Sequence, residues 1–502
     1  MELEKIIKFC SENGVLLDRD GLELIGLISD FGLVKKILLD FKNKFQKSFI
    51  TKNLFIKNKE YFFNIIEDLP NNVMDNFYKA LEENIDFSKE NSVKVEDYEV
   101  LPKKITIDSF VDYFRFRFEN MKEYVAGKKL KNLTSINKLT RDNSAVSIIG
   151  LVLDKREVKS GNILLEVEDL TGKIKVLLNK DRFFDLDENI VFDSVIAISG
   201  SGNGDIIFAD EVFSPDIELK KKKNSNREEI VAFIGDMHIG GKGFLEDSFL
   251  EFIGFLNSGR EDAKKIKYLF IVGDLVSGVG VYPDQEKTLK IKSIKDQYKK
   301  VYDLLSKVRR DIKIIISSGN HDGVRISEPQ PKLNKKYAKS LYEMENVFMA
   351  NNPSDVIIGK QEDFDGFRVL IYHGFSYIFY INNVSRFVLE KAFNNPEKLM
   401  KYVLKNRHIA PVYGSSLAYP NMEDKLIIKN IPDIFVSGHL HKSSIDYYNN
   451  ILTISVSSWE PPIDYQKKMG ICPDFCKVPI FNLKTRETKI LDFEKRGEKG
   501  GN

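Results

Sequence analysis

IVAFIGDMH, residues 230–238, is an apolar run that stops at a glycine and at once delivers an aspartate and a histidine two positions apart. Four more runs share its grammar: YLFIVGD (268–274), KIIISSGNHD (313–322), RVLIYHG (368–374) and DIFVSGHLH (433–441). Short apolar runs that alternate with longer helical stretches predict an α/β domain, here over 229–502. Strands in such sheets present their sites beyond their carboxyl ends. The five tails therefore predict one convergent cluster of metal-ligand residue types: Asp236, His238, Asp274, Asn320, His373, His439 and His441, with His321 and Asp322 beside them. Only six histidines exist in the chain, and five of them fall in these tails.

Outward from this region the pattern changes. KKKKNSNRE (220–228) separates it from a segment of short alternating strands, 145–152, 163–167, 174–178, 194–199 and 206–212, divided by turn residues such as Ser160-Gly161-Asn162 and Thr171-Gly172. Five such strands predict a small closed barrel of the oligonucleotide/oligosaccharide-binding (OB) type, preceded by a helix over 108–125, the whole spanning 105–220. Residues 71–104 are polar and aperiodic and read as a flexible linker. Residues 1–70 carry apolar positions near helical spacing and read as a small helical module, with Asp20 as a helix cap.

Composition bounds the partners. The 502 residues are 42% hydrophobic and 30% charged, with 76 Lys+Arg against 74 Asp+Glu, so the net charge of +2 points to no nucleic-acid partner by itself. Local candidates are Lys220 to Lys223 and the run Lys287, Lys290, Lys292, Lys295, Lys299, Lys300, although such runs are commonly solvated faces. Three cysteines are too few for a disulfide framework, and no signal-peptide pattern or membrane-spanning run is legible, so a cytoplasmic protein without a membrane partner is expected. Cys472 and Cys476 lack two further ligands for zinc, and GNGD (202–205) and GGKG (240–243) lack phosphate-loop spacing.

The ordered set D-x-H, G-D, G-N-H-D, H, G-H-x-H resembles the signature of the calcineurin-like metallophosphoesterases, a superfamily that includes the double-strand-break repair nuclease. The resemblance implies two divalent metals, with manganese favoured and iron or zinc next. Asp236, His238, Asp274 and His441 would hold one, Asp274, Asn320, His373 and His439 the other, and Asp274 would bridge. It also implies that His321 stabilises or protonates the departing oxygen while Asp322 orients its ring. The barrel ahead of the phosphoesterase, with GDMHIGGKGF (235–244) and NRHIAPVYG (406–414), resembles the small-subunit family of archaeal DNA polymerase D over about 105–502. That implies a 3′–5′ proofreading exonuclease acting on single-stranded or mismatched primer DNA. Its partner would be a large catalytic subunit in a heterodimer, with the sliding clamp a secondary candidate. The rivals are a scaffold with structural metals and a phosphomonoesterase. In NRHIAPVYG, His408 reads as a structural or loop residue and Arg407 as a candidate phosphate contact.

Overall fold

The computed structural model describes residues 93–98, 104–128, 130–140, 143–187, 190–420, 423–462 and 470–495, parts of 3–65, and positions 466 and 468. Two compact units emerge, 1–92 and 93–502. The first contains helices Leu3–Glu12, Arg19–Gly26 and Phe31–Phe45, whose apolar faces (Ile6, Ile25, Val34, Ile37, Phe41) close on one another. A two-residue parallel pair, β1 (Leu16–Leu17) with β2 (Phe49–Ile50), adds to it. The cap of the second helix is Asp18, which accepts the Gly21 N–H at 2.8 Å, and not Asp20, which lies inside the helix. Most of the expected 71–104 linker lies outside the described residues. Within it, β3 (Val93–Glu96) is a regular strand, too short for its alternation to stand out among the surrounding charges.

In the second unit the helix Ile107–Ala126 is capped by Thr106 and Ser109, whose side chains each accept the other's backbone N–H. It packs Phe118, Met121 and Val125 against Ile149, Leu151, Val195 and Ala197 of a closed five-stranded barrel. The barrel comprises β4 (Asn143–Glu157), β5 (Ile163–Asp169), β6 (Gly172–Leu178), β7 (Val195–Gly202) and β8 (Ile206–Phe213), in the order β4-β5-β6-β8-β7. Its closure runs through a parallel β6/β8 pair.

The remainder is a sandwich of two six-stranded sheets. Its strands are β9 (Ile230–Ile234), β10 (Ile266–Val272), β11 (Lys313–Ser317), β12 (Val347–Met349), β13 (Ser354–Ile358) and β14 (Phe367–Tyr372). They continue with β15 (Ile434–Ser437), β16 (Ser444–Tyr448), β17 (Ile451–Ser455), β18 (Lys477–Asn482) and β19 (Thr488–Asp492). One sheet runs β12-β11-β10-β9-β18-β19, the other β16-β17-β15-β14-β13-β3. The central strands are apolar on both faces because both faces are covered. Val231 and Phe233 of β9 meet Val369, Ile371 and Val436 between the sheets, whereas Ile230, Ala232 and Ile234 face helices Glu246–Leu256 and Ile294–Leu305. Since β9, β10 and β11 are mutually parallel, as are β14 and β15, the five ligand-bearing tails emerge at shared strand ends.

Candidate metal centre

Each tail turns sharply as its strand ends. Asp236, His238, Asp274, His439 and His441 all adopt left-handed backbone, with φ of 47°, 49°, 49°, 71° and 55°. Non-glycine residues rarely sit there, and such strain gathers where surrounding structure must hold a side chain against its preference. The glycines of the motifs leave room for the ligands themselves. A Cβ on Gly319 would lie 2.2 Å from Asp274 Oδ1, and one on Gly273, whose φ is 78°, would lie 2.6 Å from His373 Nδ1.

The donors converge as the tails predict. Asp236, His238 and His441 form one group whose ligand atoms lie within 4.8 Å of one another, Asp274, His373 and His439 form a second, and His238, Asp274 and His321 a third. His238 Nε2 and His441 Nε2 stand 3.1 Å apart, and Asn320 Oδ1 is 3.0 Å from His373 Nε2. Burial pushes the pKa of both His238 and His441 down to about 3, reinforced by neighbouring imidazoles, so both rings are neutral and fit to ligate. His373 behaves differently. Burial disfavours its charge, but Asp274 at 3.3 Å and the nearby Asp236 outweigh that and lift it to about 10. The same attraction overcomes burial to hold Asp274 below the usual carboxylate range. A divalent cation seated between them would take the place of that proton, which couples loading to pH.

Supporting contacts fix the rings. His373 Nδ1 donates to the Val272 carbonyl at 2.9 Å, which turns Nε2 inward. Its backbone N–H donates to Asn352 Oδ1 at 2.9 Å; Asn352 in turn donates to Gln330, whose amide reaches the Gly319 carbonyl. One buried amide relay thus ties two ligand tails together. The Asp236 carboxylate accepts the His439 N–H, and Asp274 Oδ1 accepts the His321 N–H at 2.8 Å.

Asp322 does not orient the His321 ring. Its oxygens accept the Gly319 and Leu275 N–H groups and the Tyr298 hydroxyl, so it shapes the loop. The ring is held by the Ser277 carbonyl, 2.9 Å from Nδ1, and that carbonyl also accepts from Gln285. Ser277, Gln285, Gln330 and Asn352 escaped sequence reasoning because a backbone carbonyl or a buried amide has no spacing signature. Glu460, close enough to act electrostatically on His441 and Asp236, was missed for the same reason.

Other candidates fall elsewhere. His408 is buried, with Nε2 2.9 Å from Asp424 Oδ2, and has a structural role. Arg407 does not face solvent as a phosphate contact would. Its guanidinium donates to the Ile428 and Lys429 carbonyls and lies 3.7 Å from the Tyr124 ring centroid. Lys220 and Lys223 are both paired with Asp433, Lys287 with Asp284 and Lys300 with Glu246. The Cys472 thiol is exposed and that of Cys476 buried. Among the described residues no helix is long and apolar enough to cross a membrane.

Two facing sheets with Asp, His and Asn donors at their shared strand ends define a calcineurin-like phosphoesterase domain, and residues 230–443 match that family. The similarity extends well beyond the domain. The chain is 35% identical over 397 residues to the DNA polymerase II small subunit of Methanothermobacter thermautotrophicus, covering 77% of this chain and 80% of that one. To the subunit of the same name from Pyrococcus furiosus it is 36% identical over 407 residues, covering 78% and 64%, and to that from Halobacterium salinarum 33% over 394 residues, covering 76% and 74%. The chain belongs to the family of DNA polymerase II small subunits, the archaeal polymerase D family of the sequence resemblance. Solved structures overlay only loosely: an archaeal phosphodiesterase covers 52% of this chain and 98% of its own at a TM-score of 0.26 and 14% identity.

Proposed function

We propose that this chain is the proofreading subunit of a two-subunit replicative DNA polymerase, a 3′–5′ exodeoxyribonuclease that hydrolyses DNA phosphodiesters at two divalent cations. One observation carries the reading: donors from five strand ends converge so that Asp274 belongs to two three-residue groups of opposite flank. Asp236, His238, Asp274 and His441 would hold one cation, and Asp274, Asn320, His373 and His439 the other. Three carboxylate or amide oxygens among imidazoles suit manganese first, then iron or zinc. Such a pair supplies positive charge to the scissile phosphate and lowers the pKa of water.

The chain's own groups do the remainder. With Nδ1 engaged by Ser277, His321 presents Nε2 as the atom that passes a proton to the departing oxygen. Asp322 keeps the loop that carries Asn320 and His321 closed on Asp274, and the Gln330–Asn352 relay holds Asn320 and His373 in register. Burial of Asp236, Asp274 and His373 excludes bulk water from the donors.

The barrel's order, with its third and fifth strands parallel and the helix Lys180–Asp187 between its third and fourth strands, supports the OB assignment. Barrel and phosphoesterase together would dock the large catalytic subunit; the sliding clamp is a secondary candidate, and the place of action is the cytoplasm. The test is Mn²⁺-dependent degradation of 5′-labelled single-stranded and mismatched-primer DNA by the wild type, His321→Ala and His373→Ala. A ladder shortening from the 3′ end, lost in both variants, is expected. The same trace background in all three proteins, with the large subunit present, would instead make the chain a scaffold, and a preference for phosphomonoesters would make it a phosphatase.

A further inference from the structure

Beside the donors lies a cleft of about 730 Å³ lined by Asn320 and His321 together with Val279, Arg325, Ile326 and Tyr337. Its chemistry differs from that of the centre it adjoins. Val279 is 52% exposed and Ile326 43%, and Tyr282, 45% exposed, places its ring centroid 6.5 Å from that of His321. Together they place three large, partly exposed side chains on one side of the donors. Tyr282, next to the lining residues Val281 and His321, is not loose: its hydroxyl is anchored 2.8 Å from Thr288 Oγ1. Tyr337 of the lining lies against Gly323, where even a Cβ would approach within 3.0 Å of the ring. Arg325 is braced by the Ser327 and Pro329 carbonyls and the Tyr419 ring, so its charge is fixed at the wall.

Flat aromatic and apolar surfaces with a fixed cation, opening onto a phosphodiester-cleaving centre, match the needs of an unpaired nucleotide: a face for the base and charge for the backbone. The volume falls in the range of small-ligand sites, about 300–1,000 Å³, the scale of a single nucleotide. We infer that this cleft takes the base of the 3′-terminal nucleotide, with the Tyr282 ring as its stacking surface and Val279 and Ile326 as its walls. The inference rests on the nuclease reading above and adds to it the residues that recognise the unpaired end.

The test separates the two. An oligonucleotide carrying 2-aminopurine at its 3′ terminus is titrated with the full chain in Ca²⁺, and a second oligonucleotide carries the probe at an internal position far from that end. Stacking is expected to quench the terminal probe and not the internal one. Tyr282→Ala should remove the quench and weaken binding by roughly 5- to 100-fold, the span of one base stack, while Tyr282→Phe keeps it. In Mn²⁺, Tyr282→Ala should lose that factor in kcat/KM on a normal 3′ end and nothing on an abasic one. No quench at saturation, a quench that survives Tyr282→Ala, or an equal loss on both ends would overturn the inference even if hydrolysis proceeds. A terminal quench without any hydrolysis would uphold the base cleft and sink the nuclease reading instead.

Discussion

Gly319 and His321 bracket Asn320, and each is constrained by a different piece of physics. A methyl group at Gly319 would sit 2.2 Å from Asp274 Oδ1, and the nearest atoms are a ligand and its backbone, which cannot step aside. Gly319→Ala should therefore lower hydrolysis by at least about 10²-fold, the scale of a 1 Å misplacement, and should also weaken Mn²⁺ binding in a calorimetric titration. His321→Ala is expected to divide these readouts. Loss of a positioned proton donor costs about 10²–10⁴ in kcat, whereas seven other donors remain, so thermal stabilisation by Mn²⁺ should persist. If His321→Ala loses Mn²⁺ binding as completely as His373→Ala does, His321 is a ligand and not the proton donor. That contrast was invisible in GNHD as a string of letters: only the Ser277 carbonyl at Nδ1 and the proximity of His238 and Asp274 define it.

The helix Ile107–Ala126 joins two regions of different grammar through the buried Arg117. Arg117 donates to Asp424 at 2.7 Å, to the Pro411 carbonyl and to the Tyr113 hydroxyl, while Asp424 also receives His408. Removing one member leaves a buried charge uncompensated, so Arg117→Met should destabilise by about 3–5 kcal/mol, and Arg117→Met with Asp424→Leu should recover most of it. Urea unfolding of the three variants against the wild type checks this. The clasp also has a pH signature. Burial, aided by the charge of Arg117, holds His408 below its ordinary 6.5, and Asp424 pulls less strongly the other way. Below about pH 6.5 the unfolded chain therefore binds a proton that the folded chain refuses, and stability falls as pH drops. Asp424 is held well below 3.8 because His408 and Arg117 outweigh its burial, so its contribution is complete above that value and is lost only in stronger acid. Between pH 7.5 and 5.5 the urea midpoint of the wild type should fall further than that of His408→Gln; equal falls would remove His408 from the account. NRHIAPVYG was legible as a feature of the chain, but Arg407 and His408 turn inward, a fact set by a helix nearly 300 positions upstream.

Across the whole molecule every donor lies in the 93–502 unit, and so does the edge strand β3, whose backbone pairs with β13. A chain beginning at Val93, which keeps all of these donors and β3, should keep Mn²⁺-dependent hydrolysis within about twofold of full length, as expected of a unit with its own core. Loading itself should stabilise the fold, by about 2.7 kcal/mol at a hundredfold excess of cation over its Kd. At one fixed cation concentration the gain should be larger at pH 8 than at pH 6, because ligation replaces the proton on His373; melting curves with Mn²⁺ and with chelator at both values read it. The sequence alone determined the α/β class, the closed barrel and the seven Asp, His and Asn positions that converge at the strand ends. It could do so because strand ends, turn glycines and ligand types are local properties written at fixed spacing. Only the tertiary structure decided that Ser277 and not Asp322 steers His321, that Asn352 and Gln330 tie two tails together, that Arg407 and His408 are buried, and that an apolar cleft opens beside the donors. Each of these depends on atoms brought together from distant segments, through carbonyls and amides whose partners no local pattern names.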